Sequence, residues 1–188
     1  MLKKETLVMS EINQLILLAE YNQLMNKRQY AAAANLSKDQ LCEDRGAFFK
    51  SVLGTLNHIL VGDIIWLKRF AAHTSSIESL SYVLEMDKPS KLNSILFAEF
   101  GGLKEEREKI DEAILQWIKS LSEDDLYGCI AYINIAGSSF NKSFVSLIHH
   151  LFLHQVHHRG QVTTLLSQCA VDFGETDLIE IINECSVK

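Results

Sequence analysis

The chain has 188 residues, 47% of them hydrophobic, and one proline, Pro89, which excludes a disordered or proline-rich extended polypeptide and fits one ordered, helix-rich domain over 1–188. A formal net charge of −6 leaves no basic footprint for a phosphate backbone, so no nucleic-acid partner is expected. Lys3 and Lys4 precede only a partly apolar stretch broken by Glu11, Asn13 and Gln14, which makes neither a signal-peptide core nor a membrane span, so the expected setting is the cytoplasm with no membrane partner.

Ser10, with an N-cap oxygen, opens a Leu- and Ala-rich run that predicts a first long helix to about Leu36. Ser37-Lys-Asp-Gln40 is a capping-box pattern for a short turn, and the apolar rhythm from about Asp44 to Ala72 predicts the second long helix, with Asp44 as its cap. A polar connection follows from His73 to about Asn93. The third helix comes after Gly101-Gly102, with Leu103, Ile110, Ile114, Trp117 and Leu121 on its apolar face and Lys104, Glu105, Glu106 and Glu108 on a solvated one. Between Leu126 and Phe144, β-branched and aromatic residues around Gly-Ser-Ser predict a short hairpin or extended crossover. The fourth helix runs from about Lys142 to Ala170, and a short terminal helix follows the acidic Gly174–Ile179 stretch. The fold class expected from this order is all-α. Cys42, Cys129, Cys169 and Cys185 show neither C-x-x-C nor zinc-finger spacing and read as reduced thiols, none of them a recognisable nucleophile.

The fourth helix carries most of the histidines, and helical geometry sorts them. At about 100° per residue, Leu147, Leu151, His154, His158, Gln161 and Leu165 form one stripe, the seam of a bundle helix, with two histidines where leucine would be expected. His149 falls on the opposite side, while His150 and His157 lie on the flank, about 60° to 80° from the seam centre. Two imidazoles one turn apart can converge on one ion at about 2.0–2.1 Å. They can equally be core histidines hydrogen-bonded to Gln161 or to a facing helix, since an unsatisfied ring nitrogen there costs about 1–3 kcal/mol. The Glu of H-E-x-x-H is missing, so a zinc-protease reading has no support.

On the second helix, Gly54 and Gly62 bracket His58 by one turn on either side. Glycine inside a helix costs roughly 1 kcal/mol against alanine, so the pair points either to space kept beside an imidazole, as an accessible metal site needs, or to close helix packing. Asp63 turns roughly 140° from His58 and suits a structural role.

Several segments together resemble the DinB/YfiT-like family of metal-dependent enzymes: EYNQLMN (Glu20–Asn26), GTLNHILVGDIIWLKRF (Gly54–Phe70), REKIDEAILQW (Arg107–Trp117), HQVHHRGQVTTLLSQ (His154–Gln168) and TDLI (Thr176–Ile179). The resemblance implies a four-helix bundle with crossover connections, and a divalent metal held by one histidine of helix two and the H-x-x-x-H pair of helix four. Here these are His58, His154 and His158. It also implies, from relatives that use bacillithiol, mycothiol or glutathione, a thiol-dependent transferase, or a related hydrolase or isomerase, acting on a small electrophile.

Three neutral histidines leave coordination positions open, as in catalytic rather than structural sites. The cofactor expected is a divalent transition metal, zinc or nickel, with a low-molecular-weight thiol as co-substrate and a small-molecule substrate. Gln161, Asn57 and His157 are candidates to orient ligands or substrate. The competing reading is a non-catalytic metal-binding or dimeric interaction module. Ile148, Phe152 and Val156 behind the seam call for a cover, either a homodimer partner or a fifth helix.

Overall fold

The computed structural model describes residues 9–73 and 78–184, and over these the chain is mostly helical with a small two-stranded antiparallel sheet. The α-helices are α1 (Glu11–Ala33), α2 (Lys38–Cys42), α3 (Val52–Ala71), α4 (Ser81–Glu85), α5 (Phe100–Ser120) and α6 (Phe144–Gln168); strands β1 (Cys129–Ile133) and β2 (Ser139–Ser143) lie between the last two. No described helix is long and apolar enough to cross a membrane.

Three of the four long helices start where a serine side chain meets otherwise unpaired N–H groups. Ser10 accepts from Asn13 N before α1, Ser51 from Gly54 N before α3, and Ser143 from Ser146 N before α6. Ser37 and Gln40 form the expected capping box of α2. Asp44 is not the cap of α3. Its carboxylate accepts from Gly46 N at 3.0 Å instead, within a tight turn where Gly46 and Lys50 have φ of 74° and 73°, so the helix begins only at Val52.

The expected polar connection also contains structure. After 74–77, a 3-10 turn at Glu78–Leu80 runs into α4, because Leu80 and Val83 bury completely in the core. Glu106 departs from the expected solvated face. It is buried beside α4 and accepts hydrogen bonds from Tyr82 Oη at 2.9 and 2.8 Å.

Helix α1 packs against α5 and α6, and α3 packs against α6 and α5. Between them Phe70 stacks on Trp117 at 5.1 Å and meets Phe144 edge-on at 5.7 Å, three large rings excluded from water. Ile148 and Phe152 are covered by the chain itself, while Leu153 and Val156 stay 66% and 41% exposed. The segment after α6 folds back over α1: Tyr21 Oη donates to Thr176 O and Arg28 Nη1 to Glu175 O, and the expected terminal helix shrinks to a 3-10 turn at Leu178–Ile181. The hairpin forms as expected, with Cys129 opposite Ser143 and Ile133 opposite Ser139. Gly137, at φ 86°, and Asn134, whose side chain accepts from Ser138 N, make its turn. Cys42, Cys129 and Cys169 are free; Cys185 lies outside the described residues.

Candidate metal centre

Helices α3 and α6 bring together the three histidines singled out in the sequence. One ring nitrogen from each of His58, His154 and His158 lies within 4.8 Å of the others. Ring centroids are 4.4 Å apart for His58–His158 and His154–His158, and 5.1 Å apart for His58–His154.

Each glycine beside His58 has its own reason. A Cβ on Gly62 would stand 2.8 Å from His154 Cε1, so this glycine makes room for the facing imidazole. A Cβ on Gly54 would meet the Phe49 carbonyl oxygen at 2.1 Å, so that glycine admits the tight turn before α3. The turn lays the Phe49 ring flat on His58, with centroids 3.7 Å apart and planes 14° apart, closing one face of the site. Gly62 therefore serves the close approach of α6 beside the site, whereas Gly54 serves the turn before α3, which neither explanation weighed for the pair had named.

Hydrogen bonds assign the tautomers. Nδ1 of His58 lies 2.8 Å from the Leu92 carbonyl oxygen, which can only accept, and Nδ1 of His158 lies 2.9 Å from Gln161 Oε1. Both rings therefore carry their proton on Nδ1 and present a lone pair at Nε2. These two Nε2 atoms face each other at 3.1 Å. Opposed lone pairs at that distance repel unless a proton or a metal ion lies between them. Nitrogens bound to one ion at about 2.0–2.1 Å in tetrahedral geometry would be about 3.3–3.4 Å apart, so the spacing is close to that of a chelate. His154 Nδ1 is buried with no hydrogen-bond partner.

A proton is the poorer occupant. Burial, reinforced by His158, pushes the His58 imidazole down to about 4, despite the Leu92 carbonyl. Burial and then the neighbouring histidines push His154 down to about 3, and burial also lowers His158. Three imidazoles that remain neutral at pH 7, with two Nε2 lone pairs converging and one nitrogen orphaned, fit a divalent transition metal. The donor set, three neutral imidazoles, suits such an ion.

Asn57 positions the site indirectly. Its Oδ1 accepts from Leu96 N and Phe97 N at 2.8 and 3.0 Å, and its Nδ2 donates to Phe97 O at 3.0 Å, anchoring the segment that supplies the Leu92 carbonyl. Gln161 spans two histidines, accepting from His158 and donating from Nε2 to His157 at 3.2 Å. His150 packs edge-on to Trp66 at 5.2 Å, whereas His149 points away, bonding to Val145 O and approaching Glu11. The triad opens into a cavity of about 790 Å³ whose walls include Phe48, Ile65, Trp66, Arg69, His150, His157 and the hairpin residues Asn134, Ile135 and Ala136.

A second polar cluster, missed in the sequence reading, lies deeper. Asp63 pairs with Arg107 and accepts from Gln155 Nε2 at 3.0 and 3.1 Å; Arg107 also pairs with Asp111 at 2.9 Å. Asn22 and Asn26 donate to Asp111 at 3.2 and 2.9 Å, and Arg159 donates to Asn22 Oδ1. Burial raises both carboxyls, while Asp111 and Asp63 together hold Arg107 above its usual value against the effect of burial. The available signal was polar pairs at helical spacing, Asn22/Asn26, Arg107/Asp111 and Gln155/Arg159.

The model describing the DinB family matches residues 7–182. "Protein DinB" of Bacillus subtilis (strain 168) is 24% identical over 165 residues, spanning 85% of this chain and 88% of that one. No solved structure matches the chain. With that family model covering nearly its whole length, the chain that places His58 opposite His154 and His158 belongs to the DinB family.

Proposed function

We propose that the protein is a metal-dependent enzyme in which His58, His154 and His158 hold one divalent transition metal, zinc or nickel, and that it joins a low-molecular-weight thiol to a small electrophile. The observation that carries this reading is the pair of Nε2 lone pairs facing each other at 3.1 Å at the head of a 790 Å³ cavity. When bound, the ion would supply Lewis acidity that lowers the pKa of a coordinating thiol or water. The long helices are read, more finely, as a four-helix bundle with crossover connections.

The chain's own residues do the remainder. Leu92 O and Gln161 Oε1 fix His58 and His158 with Nε2 toward the cavity. Phe49 covers His58 and limits water at that ligand, while Phe48, Ile65, Trp66 and Ile135 offer an apolar wall to an organic substrate. No protein nucleophile is required: the thiol forms the new S–C bond, and its proton and the electrophile's leaving group depart together as the acid.

The test is turnover of a thiol and an alkylating electrophile by metal-loaded protein. His58→Ala should abolish metal-dependent turnover while the helical circular dichroism persists; equal turnover in this variant sinks the reading. A second reading, a non-catalytic dimeric module, draws on the exposure of Leu153 and Val156 on α6. It predicts a dimeric mass in light scattering and no turnover with any thiol.

A further inference from the structure

The cavity beyond the histidines has an electrostatic peculiarity. In a chain with 24 acidic and 18 basic residues, none of the described residues lining this cavity is acidic, and one of them is Arg69. Arg69 is half-buried on the last turn of α3, and no carboxylate among the described residues forms an ion pair with it. Arg107, which is fully buried, is by contrast held by two carboxylates.

Arg69 is nevertheless held in place. Its guanidinium carbon lies 4.5 Å from the ring centroids of both Trp66 and Tyr132, which meet edge-to-face, and one Nη2–H donates to Ile133 O at 3.2 Å. Helix α3 and strand β1 thus hold the cation between two rings and one carbonyl oxygen. A guanidinium has five N–H donors in a planar fork that matches a carboxylate. Fixing it in advance reduces the ordering cost when an anion arrives.

The position relative to the histidines sets a length. His154 packs on Gly62, and Arg69 follows seven residues later on the same helix, about 10 Å along its axis. The intervening floor is aromatic, with Trp66 against His150 at 5.2 Å and His150 against His154 at 5.9 Å. A ligand lying along it would meet rings in the middle, imidazoles at one end and a guanidinium at the other.

We propose that Arg69 seats a carboxylate of the small molecule whose sulfur is delivered to the histidine end of the cavity, so that the preferred thiol is an acid with the two groups separated by about the span from Gly62 to Arg69. This assignment rests on the thiol reading above, and the probes are chosen to separate the two.

Zinc-loaded full-length protein is titrated with mercaptohexanoate, mercaptohexanol and hexanoate, reading binding heat and Trp66 emission; Trp117 is fully buried and gives a steady background. Mercaptohexanoate is expected to bind at least about ten-fold tighter than mercaptohexanol, the effect of one charge-assisted fork. Hexanoate should perturb Trp66, and Arg69→Gln should bring the acid-to-alcohol ratio close to one, with Arg69→Lys between. Equal affinities of acid and alcohol in the wild type, or a preference that survives in Arg69→Gln, overturn the Arg69 assignment. If both thiols bind no better than hexanoate, the thiol reading fails instead. The hexanoate signal and its loss in Arg69→Gln then still decide the carboxylate seat, and an unchanged hexanoate signal in Arg69→Gln overturns it.

Discussion

Two polar clusters occupy neighbouring parts of the same core, and α3 and α6 contribute to both. His58 and Asp63 are five residues apart on α3; on α6, His154 and His158 are each followed directly by a member of the other cluster, Gln155 and Arg159. The Asp63–Arg107–Asp111 cluster supplies its own counter-charges, two carboxylates and two guanidiniums joined by side-chain amides. The histidine cluster supplies none. Two of its rings, His58 and His158, turn their protons outward to Leu92 and Gln161 so that their lone pairs converge, and the third, His154, has a buried nitrogen with no partner. A buried polar cluster that balances itself serves the fold, whereas the histidine cluster, with no charge of its own, could hold a cation.

The sharpest way to break this contrast is to unbalance the first cluster. Arg107→Ala leaves two buried carboxylates facing each other without their shared cation, and urea unfolding should show a loss of about 3–5 kcal/mol. A loss under about 1 kcal/mol, the range of exposed pairs, would mean the network is less committed to the fold than its burial implies.

At the other cluster the expected effects fall on metal affinity. Gly62→Ala puts a methyl carbon 2.8 Å from His154 Cε1 and must displace that ring. Chelator competition should show metal binding weakened by about 10- to 100-fold, the range seen when a ligand loses its orientation. An affinity within about two-fold of wild type would show that His154 does not ligate from this position.

Asn57→Ala touches no histidine, yet it frees the 96–97 backbone that holds the Leu92 segment. Metal affinity should drop by about 10-fold, together with some stability, because two N–H groups lose their acceptor. Unchanged affinity would detach Leu92 from the orientation of His58.

The last effect is a slope in pH. The folded-state values of His58 and His154, about 4 and about 3, lie below the ordinary histidine value of about 6.5, so at intermediate pH the unfolded chain binds more protons than the folded one. Metal-free protein should therefore lose stability as pH falls from about 6.5 toward 4. His154→Leu should flatten that slope, and an equal slope in this variant would contradict the burial of neutral imidazoles.

The histidine end was legible because its signal is local: a three-four pair on one helix, and a glycine whose missing Cβ corresponds to a ring on the helix opposite. The self-balanced cluster was harder to read. Helices α1, α5 and α6 each show only a polar pair at four-residue spacing, and α3 only Asp63, until partners 44 to 137 residues away are brought together. Glu106 was misread for the same reason, since its cover is Tyr82 of a short helix whose apolar signal is only Leu80 and Val83. The start of α3 was misplaced because Asp44 and Ser51 are both good capping residues, and only the left-handed turn between them decides which one caps.

The most direct measurement is the metal content of tag-free protein after equilibrium dialysis against zinc or nickel, compared with His158→Leu, which removes one of the two facing lone pairs. The account predicts close to one equivalent in the wild type, with uptake lost in a variant that remains helical and cooperatively folded. No uptake by the wild type, or equal uptake by both proteins, would contradict the claim that His58, His154 and His158 form a metal centre.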